Sequence, residues 1–331
     1  MCEDWKECVV PLIQATDLKL DPCNFGVDQY FSAKSLVASR SFEIDGYHGF
    51  GMVPLADLLN HKTGFENVHF TFVSSSTSDD DSQHDDAFGG ERQSTSDVDP
   101  SSSGDDPANL EMIVVRDVEA GDEVFNTYGS MGNAALLHRY GFTEPDNLFD
   151  IVNIDLNLVL QWCTSSFSCR YTRARLSLWR QLNYSGCTSQ KTEYFEITSD
   201  GEPQFELIVL LYIMFLPEEA YQKLNYTMDH FRDTDDTTKI IMLNTSRRKR
   251  EPENEKEFFL TGSVCGALVA LADIRDSLYG PDSLEDDFDR LKRCCYLKER
   301  KLHHSLVLRV SERTILGRLR AYASSRCKME K

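Results

Sequence analysis

The stretch from Ser74 to Asn109 sets the hardest limit on how this chain can fold. It holds nine Asp, one Glu and ten Ser against a single basic residue, Arg92, with almost no apolar side chains. Such a segment cannot bury enough surface to offset the entropy of ordering it, so the composition predicts disorder over 74–109. Apolar runs stand on either side, Val68-His69-Phe70-Thr71-Phe72-Val73 before it and Leu110 to Val115 after it. Both read as strands, which makes the acidic segment a long insertion in a hairpin. A calcium loop is disfavoured, because Asp79-Asp80-Asp81 lacks the alternating oxygen ligands and central glycine that such a loop requires.

The segment contributes −9 of the net charge of −19, so the rest of the chain is only mildly acidic. That balance still repels phosphate backbones and anionic lipid, which argues against nucleic acid and membrane as partners and favours basic protein segments. At 331 residues about two domains are expected. The opening, Met1-Cys2-Glu3-Asp4, is polar and acidic, unlike a secretory signal or a transit segment. The longest apolar run, Leu207 to Leu216, is about half a membrane span. Ten cysteines include no C-x-x-C pair, so they are expected to be free buried thiols in a reducing compartment.

Up to about Phe149 the chain reads as short strands broken by Gly, Pro and Asn. After Asn157 it reads as helical, over Thr172 to Leu182, Glu206 to Leu216, Glu257 to Leu278, Leu284 to Lys301 and Ser305 to Ala323. The fold class is therefore α+β, a β domain over 1–150 followed by an all-α domain over 151–331. The cluster Arg247-Arg248-Lys249-Arg250 reads as an import signal or a solvated charge run, and leans localisation towards the nucleus over the cytoplasm.

Two stretches of the first domain could carry chemistry. In Met52-Val53-Pro54-Leu55-Ala56-Asp57-Leu58-Leu59-Asn60-His61, two polar residues end an apolar run, where burial would be costly unless they were paired. An Asn amide offers both donor and acceptor to a heterocycle edge. In Gly121 to Phe142, a strand at Glu123 to Asn126 leads into Tyr128, then into a short helix ending at Gly141, a good residue for a left-handed helix stop. That layout brings Tyr128, Tyr140 and Phe142 to one strand-to-helix junction. The residues alone allow an aromatic pocket with one hydroxyl, or plain core aromatics. His48, His138, His303 and His304 read as ordinary surface residues, and Gly49-Phe50-Gly51 as a flexible turn.

Four ordered motifs carry a resemblance. Ser39-Arg40-Ser41-Phe42, Pro54-x-x-Asp57-x-x-Asn60-His61, Phe125-Asn126-x-Tyr128-Gly129 and Asn133-x-x-Leu136-x-x-x-Tyr140-Gly141-Phe142 resemble the SET domain of protein-lysine methyltransferases. The branch is that of the Rubisco and ribosomal-protein lysine methyltransferases. Thr172-Arg173-Ala174-Arg175-Leu176-x-Leu178-Trp179-Arg180 is similar to the helical substrate-binding domain of that branch. The resemblance implies S-adenosylmethionine as cofactor and no metal. It implies Asn60 and the backbone of His61 on the adenine, Arg40 on the carboxylate end, Phe142 beside the cofactor, Tyr128 as the catalytic tyrosine, and Tyr140 with Phe142 lining the lysine channel. The implied partner is a protein with a basic segment, whether ribosomal, chromatin or signalling.

Family members begin with strands carrying a glycine-rich turn, and no counterpart precedes Arg40, so a SET domain lacking its N-terminal part is expected. That leaves two readings, a lysine methyltransferase and a non-catalytic module that grips basic protein tails.

Overall fold

The computed structural model describes residues 2–15, 24–45, 49–73, 109–184, 187–188, 193–230 and 255–327. The import-signal reading at Arg247 to Arg250, the triad Asp79 to Asp81 and His48 lie outside the described residues, as does nearly all of the acidic insertion. Two compact units divide at residue 147, Met1–Asn147 and Leu148–Lys331.

The first unit opens helically, which the reading of short strands up to Phe149 did not anticipate. Residues Cys2–Asp4, Trp5–Val9 and Val10–Ala15 are helical, and Val27–Arg40 forms a longer helix. The latter carries Asp28 in its first turn, complementing the positive end of the helix dipole. At its other end the Arg139 guanidinium donates to the carbonyls of Ala38 and Ser41 at 3.2 Å each, satisfying acceptors that the helix leaves open. Arg40 is thereby set on the final turn.

Six short strands follow. Strand β1 (Phe42–Asp45) pairs antiparallel with β2 (Gly49–Gly51), so the glycine pair expected to form a turn is a strand instead. A Cβ at Gly51 would stand 2.5 Å from Cδ1 of Ile44, so that side chain would have to turn aside. Strand β3 (Asn60–His61) runs parallel to β6 (Phe125–Asn126). Strands β4 (Val68–Val73) and β5 (Asn109–Val114) pair antiparallel in unbroken register from Val68↔Val114 to Val73↔Asn109, which closes the hairpin on both sides of the insertion. The apolar run before Asn60 is not core: Met52, Leu55 and Leu58 are 50%, 76% and 64% exposed.

The second unit is built around helix Phe205–Phe215, in which Leu207 to Met214 are all buried. A helix apolar all round must be central. Around it lie helices Leu156–Ser166, Cys169–Gln181, Gly262–Ser277 and Arg300–Cys327, with the antiparallel pair Val152–Asp155 and Tyr194–Ile197. Polar side chains start these helices: Ser168 accepts from the Tyr171 amide, Thr261 from Val264, and Ser283 makes a capping box with Asp286. Arg175 of the Thr172–Arg180 motif is buried. It donates to the Ile213 carbonyl at 2.7 Å, between the rings of Tyr171 and Tyr221, and so caps the C-terminal end of the central helix.

Three expectations are corrected here. The helix expected over Leu284 to Lys301 stops at Arg293, because the Glu299 carboxylate accepts the Cys295 amide and the next helix starts at Arg300. His304 is buried, at 4% exposure, packed edge-on against Tyr296 and His303. Among the described cysteines only Cys163 and Cys265 are buried; most of the others are exposed. No helix among the described residues is long and apolar enough to cross a membrane.

The turn ahead of the central helix is tightly specified. Gly201 has φ +81°, and a Cβ there would stand 2.4 Å from the Arg318 carbonyl carbon. Gly201→Ala therefore costs the second unit about 2–4 kcal/mol, combining backbone strain with overpacking, read as a lower urea midpoint at unchanged slope.

Candidate functional site

The site forms where β3 and β6 lie side by side. Pairing Asn60 with Phe125 and His61 with Asn126 places the end of the Pro54 motif beside the approach to Tyr128. Asn67 locks the pair from the other side, its side-chain oxygen accepting the Phe125 amide at 2.9 Å while its own amide donates to the Phe125 carbonyl at 2.8 Å. Before β3, Leu55 takes a φ of +74°, a region costing a branched side chain about 1–3 kcal/mol. The short helix Ala56–Leu58 that follows carries Asp57.

Asp57 accepts the Arg40 guanidinium at 2.7 Å, and Arg40 is 45% exposed there, so most of its five donors remain open to solvent. Asn60 is exposed rather than buried, and its amide nitrogen donates to Glu123 Oε1 at 2.6 Å. His61 is buried, at 6% exposure. The polar pair thus splits, one residue facing out and one in, as neighbours on a strand must.

The aromatic residues converge as the junction suggested. The rings of Tyr128 and Tyr140 stand 4.6 Å apart, those of Tyr140 and Phe142 6.2 Å, and His61 stacks on Tyr128 at 5.2 Å. Helix Asn133–Tyr140 ends at Gly141, φ +78°, whose amide closes onto Leu136 and Leu137, turning the chain so that Phe142 rejoins the cluster. The Tyr128 hydroxyl donates to the Leu59 carbonyl at 2.9 Å. Burial raises the Tyr128 phenol above its ordinary range, as do Tyr140 and Asp57, while Arg40 pulls it the other way. It stays protonated at neutral pH, a hydrogen-bonding group and not a base. The structure therefore assembles Arg40, Tyr128, Tyr140, Phe142 and His61, with Asn60 beside them on β3.

Sequence reasoning missed the supports. Thr63 and Glu144 reach the inner edge of His61, Asn133 exchanges two hydrogen bonds with the Glu144 backbone at 2.7 and 2.8 Å, and Arg139 lies over the Tyr140 ring. The one signal was Glu144-Pro145, since a residue before proline is held extended and so leaves Glu144 outside the helix.

Comparison with known proteins bears on this arrangement. No family model matches the chain. It is 27% identical to ribosomal lysine N-methyltransferase 3 of Saccharomyces cerevisiae, over 40% of this chain and 31% of that protein. It is 29% identical to N-lysine methyltransferase setd6 of Xenopus laevis, over 43% and 27%. The matched part is thus under a third of the length of these relatives. The SET domain of LSMT, solved with lysine and AdoHcy bound, superposes with a TM-score of 0.59 at 18% identity, covering 99% of this chain and 61% of that one. The chain shares the fold of the LSMT SET domain, and part of its sequence is similar to lysine methyltransferases. A second solved structure, Rubisco LSMT bound to AdoMet, agrees, with a TM-score of 0.57 over 99% and 60%. The α+β class of the chain agrees with that of these LSMT structures.

Asn133 is fully buried and orders the segment bearing Glu144. In Asn133→Ala the Glu144 amide and carbonyl lose their partners, and stability of the first unit falls by about 2 kcal/mol, measured by chemical denaturation followed through tyrosine fluorescence.

Proposed function

We propose that this chain transfers a methyl group from S-adenosylmethionine to the side-chain amine of a lysine on a protein substrate. The observation that carries the reading is the convergence of Tyr128, Tyr140 and Phe142 with an anchored arginine and an oriented amide on neighbouring strands. The related lysine methyltransferases and the solved structures holding AdoMet, AdoHcy and lysine support it.

The donor set suits the cofactor. Arg40, fixed by Asp57 and half exposed, has donors left for a carboxylate. The Asn60 amide, held by Glu123 through its nitrogen, keeps its oxygen for an exocyclic amine, and the His61 backbone lies next to it. The aromatic faces, Phe142 among them, suit a sulfonium cation. When bound, S-adenosylmethionine supplies an electrophilic methyl group.

The chain's own residues then have to deliver a neutral amine. Free lysine, with a pKa of about 10.4, is almost wholly protonated at neutral pH. Tyr140 and Phe142 would line a channel that strips water from the ammonium and lowers its pKa. The Tyr128 phenol, already anchored on the Leu59 carbonyl, holds the amine in line through its oxygen lone pairs, and such alignment is most of what a displacement demands. The first unit would be the SET domain and the helical unit the substrate-binding domain. A net charge of −19 suits a substrate with a basic segment, of the ribosomal, chromatin or signalling type. The run Arg247 to Arg250 favours a nuclear location.

Titration calorimetry with S-adenosylmethionine should show binding that Asn60→Ala weakens about tenfold, the worth of one strong hydrogen bond. Transfer of labelled methyl groups to a lysine-rich protein should fall at least about a hundredfold in Tyr128→Phe. Equal transfer by that variant would remove Tyr128 from the chemistry.

A further inference from the structure

The His61 side chain is buried with a hydrogen-bond partner at each ring nitrogen, and the role proposed above for His61 uses only its backbone. Its Nδ1 accepts the backbone amide of Tyr128 at 3.0 Å. An amide can only donate, so Nδ1 carries no proton and the ring hydrogen sits on Nε2. Nε2 lies 3.1 Å from the Thr63 hydroxyl, which in turn donates to the Glu144 carboxylate. Glu144 also accepts the Thr63 amide, and its own backbone is clasped by Asn133. The chain of bonds runs in one direction only, from the Tyr128 amide through His61 and Thr63 to Glu144.

We infer that His61 is a positioning residue for Tyr128: its neutral ring, oriented by Thr63 and Glu144, holds the Tyr128 backbone in place, and protonation of the ring releases it. This rests on the assignment of Tyr128 above. An imidazolium carries hydrogens on both nitrogens, so Nδ1–H would face the Tyr128 N–H, donor against donor. The groups acting on the ring are Glu144, which bonds Thr63 and whose Oε2 itself lies 3.5 Å from Nε2, Glu66 from the turn before β4, and the stacked phenol of Tyr128 with Tyr140 behind it. Burial disfavours the charged ring and dominates; Glu144 and Glu66 oppose it, and the net shift is downward. The ring is therefore neutral at physiological pH. The bond to Tyr128 is complete above the ordinary histidine range and is lost as pH falls through the lowered value.

The decisive measurement is an NMR titration of the full chain labelled with 15N-tyrosine and with labelled histidine. The Tyr128 amide should move with the same midpoint as the His61 ring. Glu144→Gln keeps an acceptor for Thr63 but removes the charge that favours imidazolium, so both midpoints should shift together to lower pH. In His61→Asn, whose side-chain oxygen can take the place of Nδ1, the Tyr128 amide should no longer titrate. Methyl transfer should fall about tenfold per pH unit below the same midpoint, and this acid limb should move in Glu144→Gln. A Tyr128 amide that ignores the His61 titration in the unaltered chain overturns the inference, even if methyl transfer is found. Linked titration without methyl transfer upholds the positioning and counts against the proposed reaction instead.

Discussion

Two residues of parallel pairing, Asn60-His61 against Phe125-Asn126, bring together pieces of chain more than sixty positions apart and give the first unit its candidate site. A ladder that short contributes few backbone hydrogen bonds, so side chains must fix it. Asn67 bonds the Phe125 backbone from one side, and the His61 ring bonds Tyr128 just past the end of the ladder from the other. The aromatic cluster and the supports on Glu144 both build outward from this crossing.

The two units solve stability differently. The second has a conventional core, in which the wholly apolar helix Phe205–Phe215 is surrounded on every face and its open carbonyls are capped by the buried Arg175 and by Tyr171. Among its described residues the first has few buried apolar side chains and relies on polar residues placed at strand and helix ends: Asn67, Asn133, Arg139, Glu144. Such residues fix geometry more than they add net free energy, because each mainly avoids the penalty of an unsatisfied partner.

Much of this was legible in the sequence, for identifiable reasons. Helix Phe205–Phe215 and the strands flanking the acidic insertion are written in hydrophobic pattern, which is local. Gly141 declares the end of its helix because only its left-handed backbone allows the turn. The convergence of Tyr128, Tyr140 and Phe142 followed from spacing around that turn. What stayed hidden depends on partners distant in sequence. Nothing near Glu144 indicates that Thr63 will receive it, and nothing near Asn60 shows that Glu123 will draw its amide outward while His61 turns in. The helix Val27–Arg40 was missed because its apolar residues follow no strong stripe, and its end is held by Arg139, a hundred residues away.

The unbroken register between Val68–Val73 and Asn109–Val114 has a consequence of an evolutionary kind. Because Val73 and Asn109 are direct partners, the ends of the intervening segment meet at a fixed point, whatever lies between them. The entropy of closing such a loop grows only with the logarithm of its length, about 0.6 kcal/mol for each doubling. The hairpin can therefore lengthen, shorten or change the charge of that segment over generations while the strands beneath keep every pairing they have.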